Sequence, residues 1–299
     1  MIKTNKECCG CGLCTSVCPK QCIKLEYDDQ GFKYPVVNKE ICINCSVCYK
    51  KCIIFNKVTL NKEQKFYVAR ALDENILMSS SSGGMFSVLA DYVIENFGVV
   101  YGACFDNEFN VVHRSARTFS EVSGMKGSKY VQSDICDIFV RIENDLKNDK
   151  IVLFSGTPCQ AAAISAFLNY KKVVTDRLIL IDVICHGVCS EYVWRDYISF
   201  IKSRYGKKIK CINMRYKIGT YGYCMKIDTD SCEYIKVGSR DPYIKLFQKN
   251  LILRKSCLSC KYKSMDRISD ITIGDFRNHK KNFSEFFDSK GCSSVIVNT

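Results

Sequence analysis

From residue 66 onward the chain alternates short, nearly continuous apolar runs with segments whose apolar positions recur at the helical period. Residues 66–71 read as a strand, 85–97 as an amphipathic helix stopped by Gly98, and 99–105 as a second strand. A strand, loop, helix pattern then occurs twice. Residues 151–154 lead through Ser155-Gly156-Thr157-Pro158-Cys159 into an alanine-rich helix over 160–170, and 178–184 lead through Cys185-His186-Gly187 into a helix over 191–204. Residues 270–273 and 293–297 read as further strands. Apolar strands alternating with helices predict a largely parallel sheet covered on both faces, and in such sheets ligands collect beyond the carboxyl ends of the strands. Residues 1–58 lack this pattern and are set off by a polar linker over 56–65. The expected fold is a small α+β module followed by a mixed α/β region.

Composition changes the picture through cysteine, of which the 299 residues hold 21. The polar start, Met1 to Cys8, carries no apolar run of the kind a secretory signal needs, so a cytoplasmic location is expected and metal or redox chemistry is favoured over disulfides. The longest apolar stretch, 178–185, falls far short of the roughly 20 residues that cross a bilayer, and no membrane span is predicted. Cys8, Cys11, Cys14 and Cys18, followed by Pro19, form C-x2-C-x2-C-x3-C-P; Cys42, Cys45, Cys48 and Cys52 repeat the spacing, with Ile53 in place of the proline. This is the bacterial ferredoxin run. Three thiolates on a tight loop hold three corners of a 4Fe-4S cubane, and the fourth points at the other cluster. Cys52 is thus expected to complete the cluster of Cys8, Cys11 and Cys14, and Cys18 that of Cys42, Cys45 and Cys48. Zinc wants four tetrahedral ligands from paired knuckles, and eight cysteines in two such quartets suit cubanes better. Cys9 and Cys22 fall outside the pattern and read as packing residues.

Two loops follow that suit a phosphate-bearing ligand. Ser79-Ser80-Ser81-Ser82-Gly83-Gly84 enters the 85–97 helix and offers free backbone amides and a positive dipole end, although a surface turn with an N-cap serine reads the same way. Gly127-Ser128-Lys129-Tyr130 adds a cation and an aromatic ring, and together the loops could hold a dinucleotide flavin. Beyond the carboxyl ends of the later strands stand Cys159 and Cys185, and a further pair, Cys257-x2-Cys260, precedes the strand at 270–273. Three readings stand for these four. They are ligands of a third cubane; or a thiol-disulfide centre, with the Cys159 pKa lowered at a helix N-terminus and Cys185 with Cys189 as a resolving pair; or buried free thiols, the fate expected of Cys104, Cys136, Cys211, Cys224, Cys232 and Cys292. His186 and His113 read either as proton relays or as structural histidines.

Several of these motifs, taken in order, resemble one family. Ser80-Ser81-Ser82-Gly83-Gly84, Gly127-Ser128-Lys129-Tyr130-Val131-Gln132-Ser133, Ser155-Gly156-Thr157-Pro158-Cys159-Gln160, Cys185-His186-Gly187-Val188 and Asp270-Ile271-Thr272-Ile273-Gly274-Asp275-Phe276 look like those of the coenzyme F(420) hydrogenase/dehydrogenase beta-subunit family, from about residue 65 to the end. The resemblance implies a ferredoxin-type domain over 1–58, a flavin-binding domain over 65–150 and a C-terminal domain over 151–299. It implies FAD at Ser81, Ser82, Gly83, Gly84, Ser128, Lys129, Tyr130 and Thr157, and a third 4Fe-4S cluster on Cys159, Cys185, Cys257 and Cys260, with Cys159, Cys185 and His186 nearest the chemistry. Arg277 stands where the family has tryptophan, Cys189 stands where it has proline, and relatives continue past Asn298-Thr299, so a truncated form is expected.

The implied activity is that of an iron-sulfur flavoprotein oxidoreductase passing electrons between clusters, FAD and a partner. The partner is a protein such as ferredoxin or a small hydride carrier, the deazaflavin coenzyme. A ferredoxin-dependent thiol-disulfide reductase and a non-catalytic electron-transfer subunit of a larger complex are the alternatives. The formal charge of +13 raises nucleic acid as a partner. Three four-thiolate cubanes of about −2 each would bring that charge to about +7, and no aromatic-interleaved basic stripe extends beyond residues 204–210, so no nucleic-acid partner is expected.

Overall fold

A computed structural model of the chain describes residues 7–56, 63–218, 223–276 and 290–298; Arg277, most of the 56–65 linker and Thr299 lie outside these. The first described segment runs α1 (Leu13–Ser16), β1 (Ile23–Tyr27), β2 (Lys33–Val37) and α2 (Val47–Lys50). Its hairpin is closed by Asp28, whose carboxylate accepts from the amides of Gln30 and Phe32, and a turn this short permits only the antiparallel pairing observed.

The body opens with β3 (Gln64–Ala69), α3 (Glu74–Ser79), α4 (Met85–Glu95), β4 (Val99–Phe105) and β5 (Val111–Ala116). It continues through α5 (Phe119–Ser123), α6 (Ile138–Lys147), β6 (Val152–Gly156), α7 (Pro158–Lys171), β7 (Leu178–Val183) and α8 (Glu191–Tyr205). After β8 (Ile209–Lys217), β9 (Tyr223–Thr229) and β10 (Glu233–Val237) come α9 (Pro242–Gln248), α10 (Lys255–Leu258), β11 (Ile271–Asp275) and β12 (Ser293–Asn298).

Among the described residues one seven-stranded sheet has the order β3-β12-β11-β7-β6-β4-β5. Its four central strands are parallel, as the apolar runs predict, while the edges are antiparallel. The β4-β5 edge follows from its short turn, where Asp106 accepts from the amides of Glu108 and Asn110. This sheet takes strands from both sides of residue 150. A separate antiparallel sheet, β10-β9-β8, has no counterpart in the sequence reading.

Helices cover both faces of the large sheet. On one, Ile138, Phe139 and Ile142 of α6 and Ile164 and Phe167 of α7 bury against Tyr101 and Phe154, each such side chain contributing about 1.5–3 kcal/mol. Leu13, Val17 and Ile53 join the same core, so the cysteine-rich segment sits directly on α6 and α7. On the other face, α4 and α5 pack Ala90, Val93 and Val122 on Val100, Leu153 and Ile181. The small sheet and α8 form a further core around Trp194, the single tryptophan, whose indole donates to Phe109 O at 2.7 Å. Cys104, Cys224 and Cys292 are buried as expected, but Cys136 is only half-buried, and Cys211 on β8 and Cys232 in the β9-β10 turn are exposed.

Helix α7 begins where the sequence places a loop. Thr157 is its N-cap, in a reciprocal capping box with Gln160, and Pro158 occupies the first turn. That cap fixes where the next residue, Cys159, emerges from the sheet.

Candidate functional site

The two cysteine loops share one backbone device. Gly10 and Gly12 have φ of +68° and +76°, and the equivalent Asn44 and Ser46 have +55° and +60°. Left-handed residues at these points curl the chain so that successive thiols turn toward one space. Gly12 has a second constraint, because a Cβ there would lie 2.6 Å from Cys136 Sγ.

Cys18, Cys42, Cys45 and Cys48 line one small cavity, with Cys22 beside them and its sulfur 3.4 Å from that of Cys18. In the other quartet, burial raises the Cys14 thiol pKa, and repulsion from Cys8 and Cys52 adds to it; Cys8 in turn is a neighbour of Cys11. Each quartet therefore draws three thiols from one loop and the fourth from the other. Among the described residues no three His, Cys, Asp or Glu side chains could hold a single metal ion. Cys18, Cys42, Cys45 and Cys48 surround a shared space, which is what a cubane with an iron at each corner requires.

A third set of thiols, Cys159, Cys185, Cys257 and Cys260, lines a cavity of its own, with Thr157 and Cys9 also on its wall. Cys159 enters from the first turn of α7, Cys185 follows β7, and Cys257 belongs to α10. Burial pushes the Cys185 thiol up, and repulsion from Cys159, Cys257 and Cys260 pushes it further. Four half-buried thiols that disfavour one another's ionisation fit a cationic iron-sulfur core, which stabilises thiolates where the protein alone does not.

The lowered pKa expected of Cys159 is overturned. Its pKa stands well above the ordinary thiol value because its own thiol donates to the Cys9 sulfur and burial removes water. Cys189 is fully buried in the Trp194 core, its thiol pushed up to about 12 by burial, so it does not stand ready as a resolving thiol. Thr157 caps α7 and places its hydroxyl 3.2 Å from Cys159 Sγ.

His186 is exposed, with Nε2 2.6 Å from Asn250 Oδ1 and its ring edge on Phe247. His113 is buried, stacked on Phe154 and 3.0 Å from Ser155 O; burial lowers its pKa to about 4, so it is neutral at physiological pH.

The two flavin-expectation loops do meet. The Ser128 amide and hydroxyl both donate to Ser81 Oγ, at 2.7 and 3.1 Å. Gly83 lies against β3 and β12, where a Cβ would come within 2.5 Å of Ala69 O, and Gly84 at φ +86° begins α4 without a side-chain cap. Ser82 donates to Cys292 O at 2.7 Å. Tyr130 stacks on Phe247 at 4.5 Å. Lys129 turns inward, donating to the carbonyls of Gly124, Met125, Lys126 and Gly127, and burial lowers its pKa to about 8.

Two further cations of this region come from β8. Arg215 pairs with Asp275 at 2.7 Å and donates to Ser81 O at 3.1 Å, and Lys217 donates to the carbonyls of Leu77 and Ser82. Buried Arg215 Nε has no hydrogen-bond partner. An orphaned guanidinium N–H, an uncapped helix start and an aromatic ring fit an anionic, ring-bearing ligand such as FAD. Sequence reasoning missed Arg215 and Lys217, whose sole signal is alternation of two basic residues at residues 215–217.

Cysteine-lined cavities on a doubly covered α/β sheet define an iron-sulfur redox protein in outline. Residues 149–299, just over half of the chain, match the family described as the C terminus of the coenzyme F(420) hydrogenase/dehydrogenase beta subunit, and the chain belongs to that family of oxidoreductase subunits. In fold it is similar to a chain of the F(420)-reducing NiFe hydrogenase complex from Methanosarcina barkeri, with a TM-score of 0.56 and 17% identity over 80% of this chain and 76% of that one. The cysteine-rich segment is similar to an uncharacterized ferredoxin of Methanocaldococcus jannaschii, 38% identical over 52 residues, which is 17% of this chain and 66% of that ferredoxin. Among the described residues no helix is long and apolar enough to cross a membrane.

Proposed function

We propose that the chain is an iron-sulfur flavoprotein that relays electrons between three 4Fe-4S clusters, FAD and a redox partner. The partner is either the deazaflavin coenzyme F(420) or an electron-carrying protein such as ferredoxin. Residues 1–58 form the ferredoxin-type domain, 65–150 the flavin-binding domain and 151–299 the C-terminal domain, and the chain works in the cytoplasm as part of a larger complex.

The observation that carries this reading is the unbroken succession of thiols. The pocket of Cys18, Cys42, Cys45 and Cys48 neighbours Cys14 through Cys48; the quartet of Cys8, Cys11, Cys14 and Cys52 neighbours Cys159 through Cys8; and Cys159 lies in the third cavity with Cys185, Cys257 and Cys260. A bound flavin would supply the conversion between one-electron and two-electron transfer. The protein's own contribution is placement and exclusion of water. Gln132 donates to Cys9 O and Gly10 O and fixes the first loop, while Tyr262 and Lys261 donate to Ile53 O and Ile54 O and tie the Cys257–Cys260 segment to the chain after Cys52. Arg215 and Lys217 would meet the anionic end of the flavin, and Tyr130 its ring.

Anaerobic purification followed by iron, sulfide and acid-released flavin assays tests this directly. About twelve irons per chain with one FAD are expected. About eight irons with flavin would return Cys159, Cys185, Cys257 and Cys260 to thiol packing, and no flavin after FAD is supplied would end the flavoenzyme reading.

A further inference from the structure

A fully buried charged side chain lies between the first thiol quartet and the third cavity. Arg254 is fully buried, at 0% exposure, and no ion pair among the described residues includes it. Every acceptor of its guanidinium is an uncharged oxygen: Gln132 Oε1 at 3.0 Å, Cys8 O at 2.9 Å and Lys33 O at 2.7 Å. The rings of Phe32 and Tyr34 cover it, at 5.2 and 4.5 Å. Its backbone carbonyl accepts from the Cys257 amide at 2.9 Å, and its own amide donates to Val188 O, so one residue is joined to both thiol sets. The approach on the loop side is so close that a Cβ on Gly10 would meet the guanidinium at 2.6 Å.

A buried guanidinium without a counter-anion is unfavourable, and carbonyl dipoles and ring faces offset only part of the lost hydration. Four-thiolate cubanes, each of net charge about −2, would supply the missing anions on both sides. We propose that Arg254 is the positioning residue that sets the electron-transfer step between the cluster of Cys8, Cys11, Cys14 and Cys52 and the cluster of Cys159, Cys185, Cys257 and Cys260, its charge favouring the reduced form of both while its fork holds the Cys8–Gly10 loop on the body. The proposal rests on the three-cluster reading.

The test compares wild type, Arg254→Met and Arg254→Lys, each as full chain purified anaerobically, by iron content and EPR-monitored redox titration. Loss of the charge should make both neighbouring clusters harder to reduce by about tenfold, about 59 mV for one electron, with the cluster of Cys18, Cys42, Cys45 and Cys48 unmoved. Arg254→Lys should restore most of that shift although it loses the fork. Unchanged potentials in an Arg254→Met chain that keeps about twelve irons overturn the proposal alone, as does an equal shift of all three clusters. A wild-type chain with about eight irons overturns the three-cluster reading and the proposal with it. Should Arg254→Met not retain iron, Arg254→Gln replaces it with the same two outcomes.

Discussion

Replacing Gly12 by alanine tests the loop geometry on which the first quartet depends. A non-glycine residue held at φ +76° costs about 1–2 kcal/mol in the left-handed region. The new Cβ would also stand 2.6 Å from Cys136 Sγ, and overpacking of this kind costs about 1–3 kcal/mol. The clashing sulfur is the end of the half-buried Cys136 side chain, whose rotation brings the second cost toward the lower end of its range. The sum, about 2–5 kcal/mol, corresponds to a roughly 30- to 3,000-fold larger population of displaced loop. Ser46→Ala is the matched control, because Ser46 already carries a Cβ at φ +60° in the equivalent position. Anaerobic exposure of the two variants to a ferrous chelator, followed by visible absorbance and released iron, gives the comparison. Gly12→Ala should show a fast phase that releases about four irons, absent from wild type and from Ser46→Ala. Equal release by both variants would show that the curl of the first loop does not hold its thiols.

Cys159→Ser, Cys185→Ser, Cys257→Ser and Cys260→Ser should each lower iron by about four atoms per chain while Cys9→Ser leaves the count near that of wild type, measured by iron and sulfide assay. Arg215→Met removes one member of a pair whose side chains are 13% and 21% exposed, and should weaken FAD binding by about 10- to 100-fold in a flavin-fluorescence titration; an unchanged affinity would move the flavin away from β8. His113 has its pKa lowered from an ordinary 6.5 to about 4 by burial, so the unfolded chain binds the extra proton first as pH falls between these values. Stability should therefore drop by about 3 kcal/mol from pH 6.5 to pH 4, and His113→Phe should flatten that slope in urea unfolding followed by Trp194 fluorescence.

What was legible in the chain was whatever is enforced locally. Cluster ligation demands fixed short spacings, so the quartets of Cys8 to Cys52 can be read directly, and long apolar runs make β4, β6 and β7 visible. The edges of the sheet were less so, because whether β12 pairs antiparallel with β11 depends on a connection whose direction no local pattern encodes. The small sheet escaped because its register shifts between Asn213 and Tyr216, which interrupts the alternation that marks a strand. Lys129 reads as a cation for a flavin from its place in a Gly-Ser-Lys-Tyr loop, but only the folded chain shows it turning into four carbonyls. The role of Arg254 is likewise tertiary, for its acceptors lie 122, 221 and 246 residues away along the chain.

The single tryptophan gives the molecule an optical address. Trp194 is buried in the core of the small sheet, held by its indole to Phe109 O and stacked on Phe105, at the end of a strand of the large sheet. All tryptophan emission therefore originates from one fixed point in one lobe. Iron-sulfur clusters and flavin absorb in the range where tryptophan emits, so occupied sites would act as acceptors of its excitation. The brightness of the chain would then record how fully its sites are loaded, without any label and from a position that touches none of the thiols in the quartets.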